Sequence, residues 1–80
     1  MNRFKVNLNA TEHIRIFVQA AINTDCNIDV VSGRFIVDAS SIMGIFALDL
    51  SKNVEVVMHT TDETIIKEFK DKIGECIIED

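Results

Sequence analysis

Few residues of this chain have the means to do chemistry, and most stand apart. Two histidines, His13 and His59, and two cysteines, Cys26 and Cys76, show neither Cys-x-x-Cys nor His-x-x-x-His spacing, so no metal site is expected. Cys26 opens a strand-like segment with no base indicated nearby, and a thiol without a base is a poor nucleophile. Gly33 and Gly44 are isolated, so no phosphate-cradling loop is present. Glu12 and the pair Asp62-Glu63 read as acids at helix starts, where the dipole favours them, rather than as a catalytic pair. The stretch that remains is Ser40-Ser41, directly before Ile42-Met43-Gly44-Ile45-Phe46-Ala47-Leu48. Two small hydroxyls before a helix-length apolar run are helix caps in the plainest reading. The run itself is more unusual. Ile42, Met43 and Phe46 are more large apolar side chains than one short helix can bury on one face, so part of them is expected to stay exposed as a protein-binding patch.

The elements that must position these residues follow from periodicity. Phe4, Val6 and Leu8 alternate with Lys5 and Asn7, which predicts a strand with one buried face. Asn9 followed by Glu12 suggests a capping box, with Thr11 as a competing cap, for a helix running to about Asn23 on the stripe Ile14, Phe17, Val18, Ala21. Cys26, Ile28 and Val30 predict a second strand, Ser32-Gly33 a tight turn, and Arg34 to Val37 a third strand with Phe35 and Val37 inward. A short helix over Ile42 to about Leu48 follows, capped by Ser40 or its neighbour. Val54 to Thr60 is the fourth strand, with Val54, Val56 and Met58 on one face and Glu55, Val57 and His59 on the other. Thr60 and Glu63 have capping-box spacing ahead of a third helix with the stripe Ile65, Ile66, Phe69, Ile73, stopped by Gly74. Cys76-Ile77-Ile78 is an apolar tail expected to fold back. The order βαββαβα predicts an α+β open-faced sandwich: a four-stranded, mainly antiparallel sheet with three helices on one face. Lys5, Asn7, Asn27, Asp29, Glu55 and His59 suit its wet face.

Composition narrows the partners. Eighty residues are expected to form a single domain over 1–80, with limited burial to stabilise it. The net charge of -5 argues against nucleic acid, which demands clustered Lys and Arg, and against an anionic membrane surface. Acid gathered at Glu75 and Glu79-Asp80 is expected to aid solubility. No apolar run is long enough to span a bilayer, and the start of the chain alternates instead of forming a signal-peptide block, so a cytoplasmic protein with free thiols is expected. Nothing calls for a cofactor or supports an independent enzyme.

Two stretches carry a resemblance to a known family. Phe17-Val18-Gln19-Ala20-Ala21 looks like the first-helix segment of HPr, the phosphocarrier of the bacterial phosphoenolpyruvate-dependent sugar phosphotransferase system. Ser40-Ser41-Ile42-Met43-Gly44-Ile45 with Ala47-Leu48 resembles the family's regulatory-serine segment. Val54-Glu55-Val56-Val57 and Thr61-Asp62-Glu63 support it more weakly, and the resemblance spans roughly Arg3 to Ile73. It implies the open-faced sandwich above. It also implies that Ser41 matches a kinase-targeted serine and that Ile42, Met43 and Phe46 match a docking patch for partner proteins, which would be phosphotransferase-system components or a serine kinase.

The same resemblance exposes a conflict. In the family, a histidine just before the first helix relays phosphate and is followed by a small residue, an arginine and a proline. The imidazole is nucleophile and leaving group, the helix amides hold the phosphoryl oxygens, and a cation balances their charge. Counted back without a gap, the histidine position is Ala10, the arginine position Glu12 and the proline position His13. Alanine offers no nucleophile, and Glu12 repels a phosphoryl dianion. His13-Ile14-Arg15 echoes histidine-x-arginine but lies nearly a helical turn further in. Three expectations follow. The first is a regulatory or protein-binding module without an active-site histidine, the second a working phosphocarrier that uses His13 with Arg15, and the third a structural domain unrelated to sugar transport. One strand edge and the wet face of the sheet offer self-association, with nothing in the sequence to select it.

Overall fold

A computed structural model describes residues 2–78. The acids Glu79 and Asp80 lie outside the described residues. The elements run β1 (Asn2–Val6), α1 (Thr11–Ile22), β2 (Ile28–Ser32), β3 (Phe35–Asp38), α2 (Ile42–Phe46), β4 (Val54–Met58) and α3 (Glu63–Lys72), closed by a 3-10 turn at Gly74–Cys76. The sheet has the order β1-β4-β2-β3, and every neighbouring pair is antiparallel. With three helices against it, this is the α+β open-faced sandwich that the element order predicts.

Register explains the core. Val6 opposes Val54 and Phe4 opposes Val56, while Val30 opposes Val56 and Ile28 opposes Met58 across the next ladder. These share one face because side chains alternate along a strand. Phe17 from α1, Ile45 from α2 and Phe69 from α3 close over it, each fully buried. The Phe17 and Phe69 rings meet edge-on with centroids 5.7 Å apart, a preferred aromatic geometry.

The tail folds back as the sequence suggests. Asn7 donates its backbone N–H to the Cys76 carbonyl at 2.8 Å, Ile78 donates to Lys5 at 3.0 Å, and Ile77 bridges Val6. This covers the outer edge of β1.

Several local expectations are corrected. Asn9 does not cap α1, because its backbone N–H is taken by the Asn7 side chain and Glu12 is drawn to Arg15. The N-cap is Ala10, whose side chain has nothing to offer, and Thr11 is already helical. In α3 the cap is Asp62, which accepts from the amides of Thr64 and Ile65, while Thr60 accepts instead from the Asp62 amide. The first two strands are shifted: β1 ends at Val6, leaving Leu8 buried beyond it, and β2 begins at Ile28 and extends to Ser32. Phe35 is not packed inward. It is 69% exposed, since the five-residue α2 is too short to reach it. Val57 on the polar face is buried, flanked across the central strand by Arg3 and Asp29.

Candidate functional site: two helix starts and an apolar patch

The beginning of α1 is an uncapped helix end. Ala10 has extended backbone angles (φ -94°, ψ 137°), and its carbonyl accepts the first helical bond, from Ile14 at 3.1 Å. The amides of the first turn therefore have no side-chain acceptor at the cap. Such an end can receive an anion, but no nucleophile stands at position 10.

His13 and Arg15 are not brought together. Residues two apart on a helix do not face one another. His13 is half-buried. Its Nε2 lies 3.9 Å from the Glu75 carboxylate in the C-terminal turn, an approach that is an ion pair only while the ring is protonated. Its Nδ1 is buried with no hydrogen-bond partner among the described residues. Arg15 donates from Nη2 to Glu12 Oε2 at 2.7 Å on the exposed surface, so its charge is already partnered.

The beginning of α2 is built differently. Ser41 is the N-cap, and its Oγ accepts from the Gly44 amide at 3.2 Å. Ser40 is not the cap. Its hydroxyl and its backbone N–H both donate to Asp38 Oδ1, at 2.6 and 2.8 Å. The Ser40 hydroxyl, then its amide, hold the Asp38 carboxyl below its ordinary value. Gly44 is closely approached: a Cβ there would lie 3.2 Å from both the Ser41 Oγ and the Val37 Cβ, so these neighbours would have to give by a few tenths of an ångström.

Beyond the cap, α2 buries Ile45 and leaves Ile42, Met43 and Phe46 exposed by 44%, 81% and 55%. Ile22 at the end of α1 is exposed as well and shares a shallow depression with Cys26, Asp38 and Ser40. Ile22 carries a signal legible in the sequence, since it lies off the buried stripe of its helix yet is large and apolar.

The remaining candidates do not converge. His59 Nε2 sits 2.7 Å from Asp29 on the polar face of the sheet. Burial, and then the charge of Asp25, push the Cys26 thiol up; burial, and then Glu75, push up Cys76. Neither is poised as a thiolate. No group of three or more potential metal ligands occurs among the described residues, and no helix there is long and apolar enough to cross a membrane.

Comparison with known proteins decides the family. The family described as "PTS HPr component phosphorylation site" matches residues 4–75. The chain belongs to the HPr family. The fold agrees with a solved HPr: "HPr-C-His" from Thermoanaerobacter tengcongensis superposes with a TM-score of 0.72 at 28% identity, over 92% of this chain and 97% of that one. A search of curated proteins found no significant match. HPr proteins belong to the phosphotransferase system and are phosphocarriers rather than catalysts, which agrees with the expectation of a carrier-type or regulatory protein. Family membership sets aside the reading as an unrelated structural domain.

Proposed function

We propose that this HPr-family chain is a protein-binding or regulatory module and not a phosphate relay. The observation that carries the reading is the start of α1. Its cap position holds Ala10, the one nearby imidazole rests against Glu75, and the one nearby guanidinium is tied to Glu12. A relay needs a nucleophilic ring nitrogen, free amides and an unengaged cation around one phosphoryl group. Only the amides are in place.

The surface supporting a binding role is α2. Ile42, Met43 and Phe46 form an exposed apolar face on a helix whose core-facing residue is Ile45, and an exposed methionine adapts to differently shaped partners. In this reading Ser41 is the regulatory site. A phosphoserine at the cap would keep favourable contact with the first-turn amides while setting about two negative charges beside the patch. That charge would weaken docking on an acidic partner. The partners that fit are other phosphotransferase components or a serine kinase, and the setting is cytoplasmic.

The test is direct. The protein is incubated with phosphoenolpyruvate and enzyme I, and its intact mass is measured at mildly alkaline pH. No added phosphate is expected. A labile phosphate gained by the wild type and lost in His13→Ala would instead establish the relay through His13, with Arg15 as its cation. In a second arm, a cognate serine kinase with ATP should label the wild type but not Ser41→Ala. Equal labelling of the two defeats the regulatory assignment of Ser41.

A further inference from the structure

The two edges of the sheet are finished differently. The β1 edge is covered by residues 76–78, whereas among the described residues no strand lies beyond β3. Edge strands are ordinarily protected by shortness, by charged side chains, by proline or by a bulge. β3 is short and ends on Asp38, but its stretch Phe35-Ile36-Val37 carries no charge, proline or bulge, and Phe35 and Ile36 are 69% and 67% exposed.

The ladder with β2 fixes which backbone groups remain for a partner. Ser32 pairs with Phe35 across the turn Gly33–Arg34, Val30 pairs with Val37, and the Ala39 amide donates to the Ile28 carbonyl at 2.9 Å. Antiparallel ladders alternate, so residues 35, 37 and 39 bond inward to β2. Ile36 therefore turns its N–H and C=O groups to the open edge and Asp38 its N–H, while the Asp38 carbonyl accepts from the Ser41 amide at 3.0 Å.

A second copy of the same strand, placed antiparallel about a two-fold axis, can centre on Phe35, Ile36 or Val37. The first centring sets Arg34 opposite Ile36 of the second copy, and the third sets Ile36 opposite Asp38. Both strand a charge against an apolar side chain. Centring on Ile36 sets like against like and charge against countercharge: Ile36 faces its own copy, Phe35 faces Val37, and Arg34 faces Asp38, twice. Arg34, Ile36 and Asp38 share one face of the strand, so both ion pairs flank the Ile36 contact. The bonding parity agrees, because Ile36, at the axis, presents both of its backbone groups to the edge and Asp38 presents its N–H.

We propose that β3 is the interface of a two-fold homodimer that joins two four-stranded sheets edge to edge in this register. The interface is independent of the docking patch on α2 and of the proposed function. The strand is short, so the dimer is weak, with a dissociation constant on the order of 100 µM.

Sedimentation equilibrium on the full chain from about 10 µM to about 1 mM brackets that value. A concentration-dependent monomer–dimer equilibrium is expected. Arg34→Glu places like charges opposite each other at both ion pairs and should raise the dissociation constant at least about tenfold. Ile36→Lys should do the same. Mixing Arg34→Glu with Asp38→Lys restores both countercharges in the heterodimer alone, so the mixture should dimerise where neither variant does. Because Asp38 also holds Ser40, circular dichroism checks that variant's fold, and a readout on the wild type stands beside it. Amide exchange at Ile36 and Asp38 should quicken on dilution while Val37 stays unchanged. A wild type that remains monomeric to about 1 mM overturns the proposal and leaves the edge to a strand of another protein. A dimer indifferent to Arg34→Glu, or one whose dilution does not alter exchange at Ile36, overturns it equally.

Discussion

The starts of α1 and α2 are alike in backbone and unlike in chemistry. Both cap residues are extended: Ala10 at φ -94°, ψ 137° and Ser41 at φ -95°, ψ 102°. Both helices bury apolar side chains in one core, Phe17 from the first and Ile45 from the second. At Ala10 the cap side chain is inert, and the charged neighbours Glu12 and Arg15 satisfy each other. At Ser41 the hydroxyl is engaged, exposed and set beside three exposed apolar residues. The lesson is that the core preserves the form of a helix start without preserving what the start can do. Packing acts on Phe17 and Ile45, and nothing in the core requires a given side chain at the cap.

The comparison can be broken most decisively by restoring the missing chemistry. Ala10→His combined with Glu12→Arg should take up phosphate from phosphoenolpyruvate and enzyme I where the wild type takes none, read by intact mass. Failure of the double variant would place the defect in the helix end and not in the missing groups. Next in size, Ser41→Ala should cost about 1 kcal/mol of stability in urea titrations, because the Gly44 amide loses its acceptor. In the opposite direction, Ala10→Ser should gain about 0.5–1 kcal/mol, since the backbone there already has cap geometry.

A smaller effect is set by pH. The Ser40 bonds lower the Asp38 carboxyl in the folded state relative to the unfolded one. A depressed carboxyl contributes stability that is present above its unfolded value and is lost as pH falls through its folded value. Asp38→Asn should therefore reduce the difference in urea midpoint between about pH 7 and about pH 3. Smallest of all, Met43→Ala should leave stability within about 0.5 kcal/mol of the wild type, because the side chain is 81% exposed. A larger loss would mean that the patch is structural.

Most of the architecture was legible because two periods rarely mislead. Alternation at Val54, Val56 and Met58 and the stripe through Phe17 and Phe69 mark buried faces whatever the neighbours are. The caps were less legible. Asn9 and Glu12 have the spacing of a capping box, but Asn7 and Arg15 compete for the same groups. Thr60, Thr61 and Asp62 can each begin a helix, and burial of Phe69 sets the phase that selects Asp62. Phe35 was misplaced for a reason of length: alternation assigns a side chain to a face of the sheet, while the reach of α2 decides whether that face is covered. At the candidate site, the alanine at position 10 could be read from the resemblance, but its place as the cap could not, since Asn9 and Thr11 are the better cap residues by type. The engagement of His13 with Glu75 could not, since the two residues lie at opposite ends of the sequence.

The closure of the β1 edge by residues 76–78 also bears on how the chain reaches its native state. Asn7 and Cys76 come together only by closing a loop over nearly the whole described chain, and such contacts carry a large entropic cost before they return any bonding. The sheet edge is thus expected to zip last during folding and to fray first during unfolding. Among the backbone amides, those of Asn7 and Ile78 should lose protection from solvent hydrogen earlier than those of β4, at the centre of the sheet.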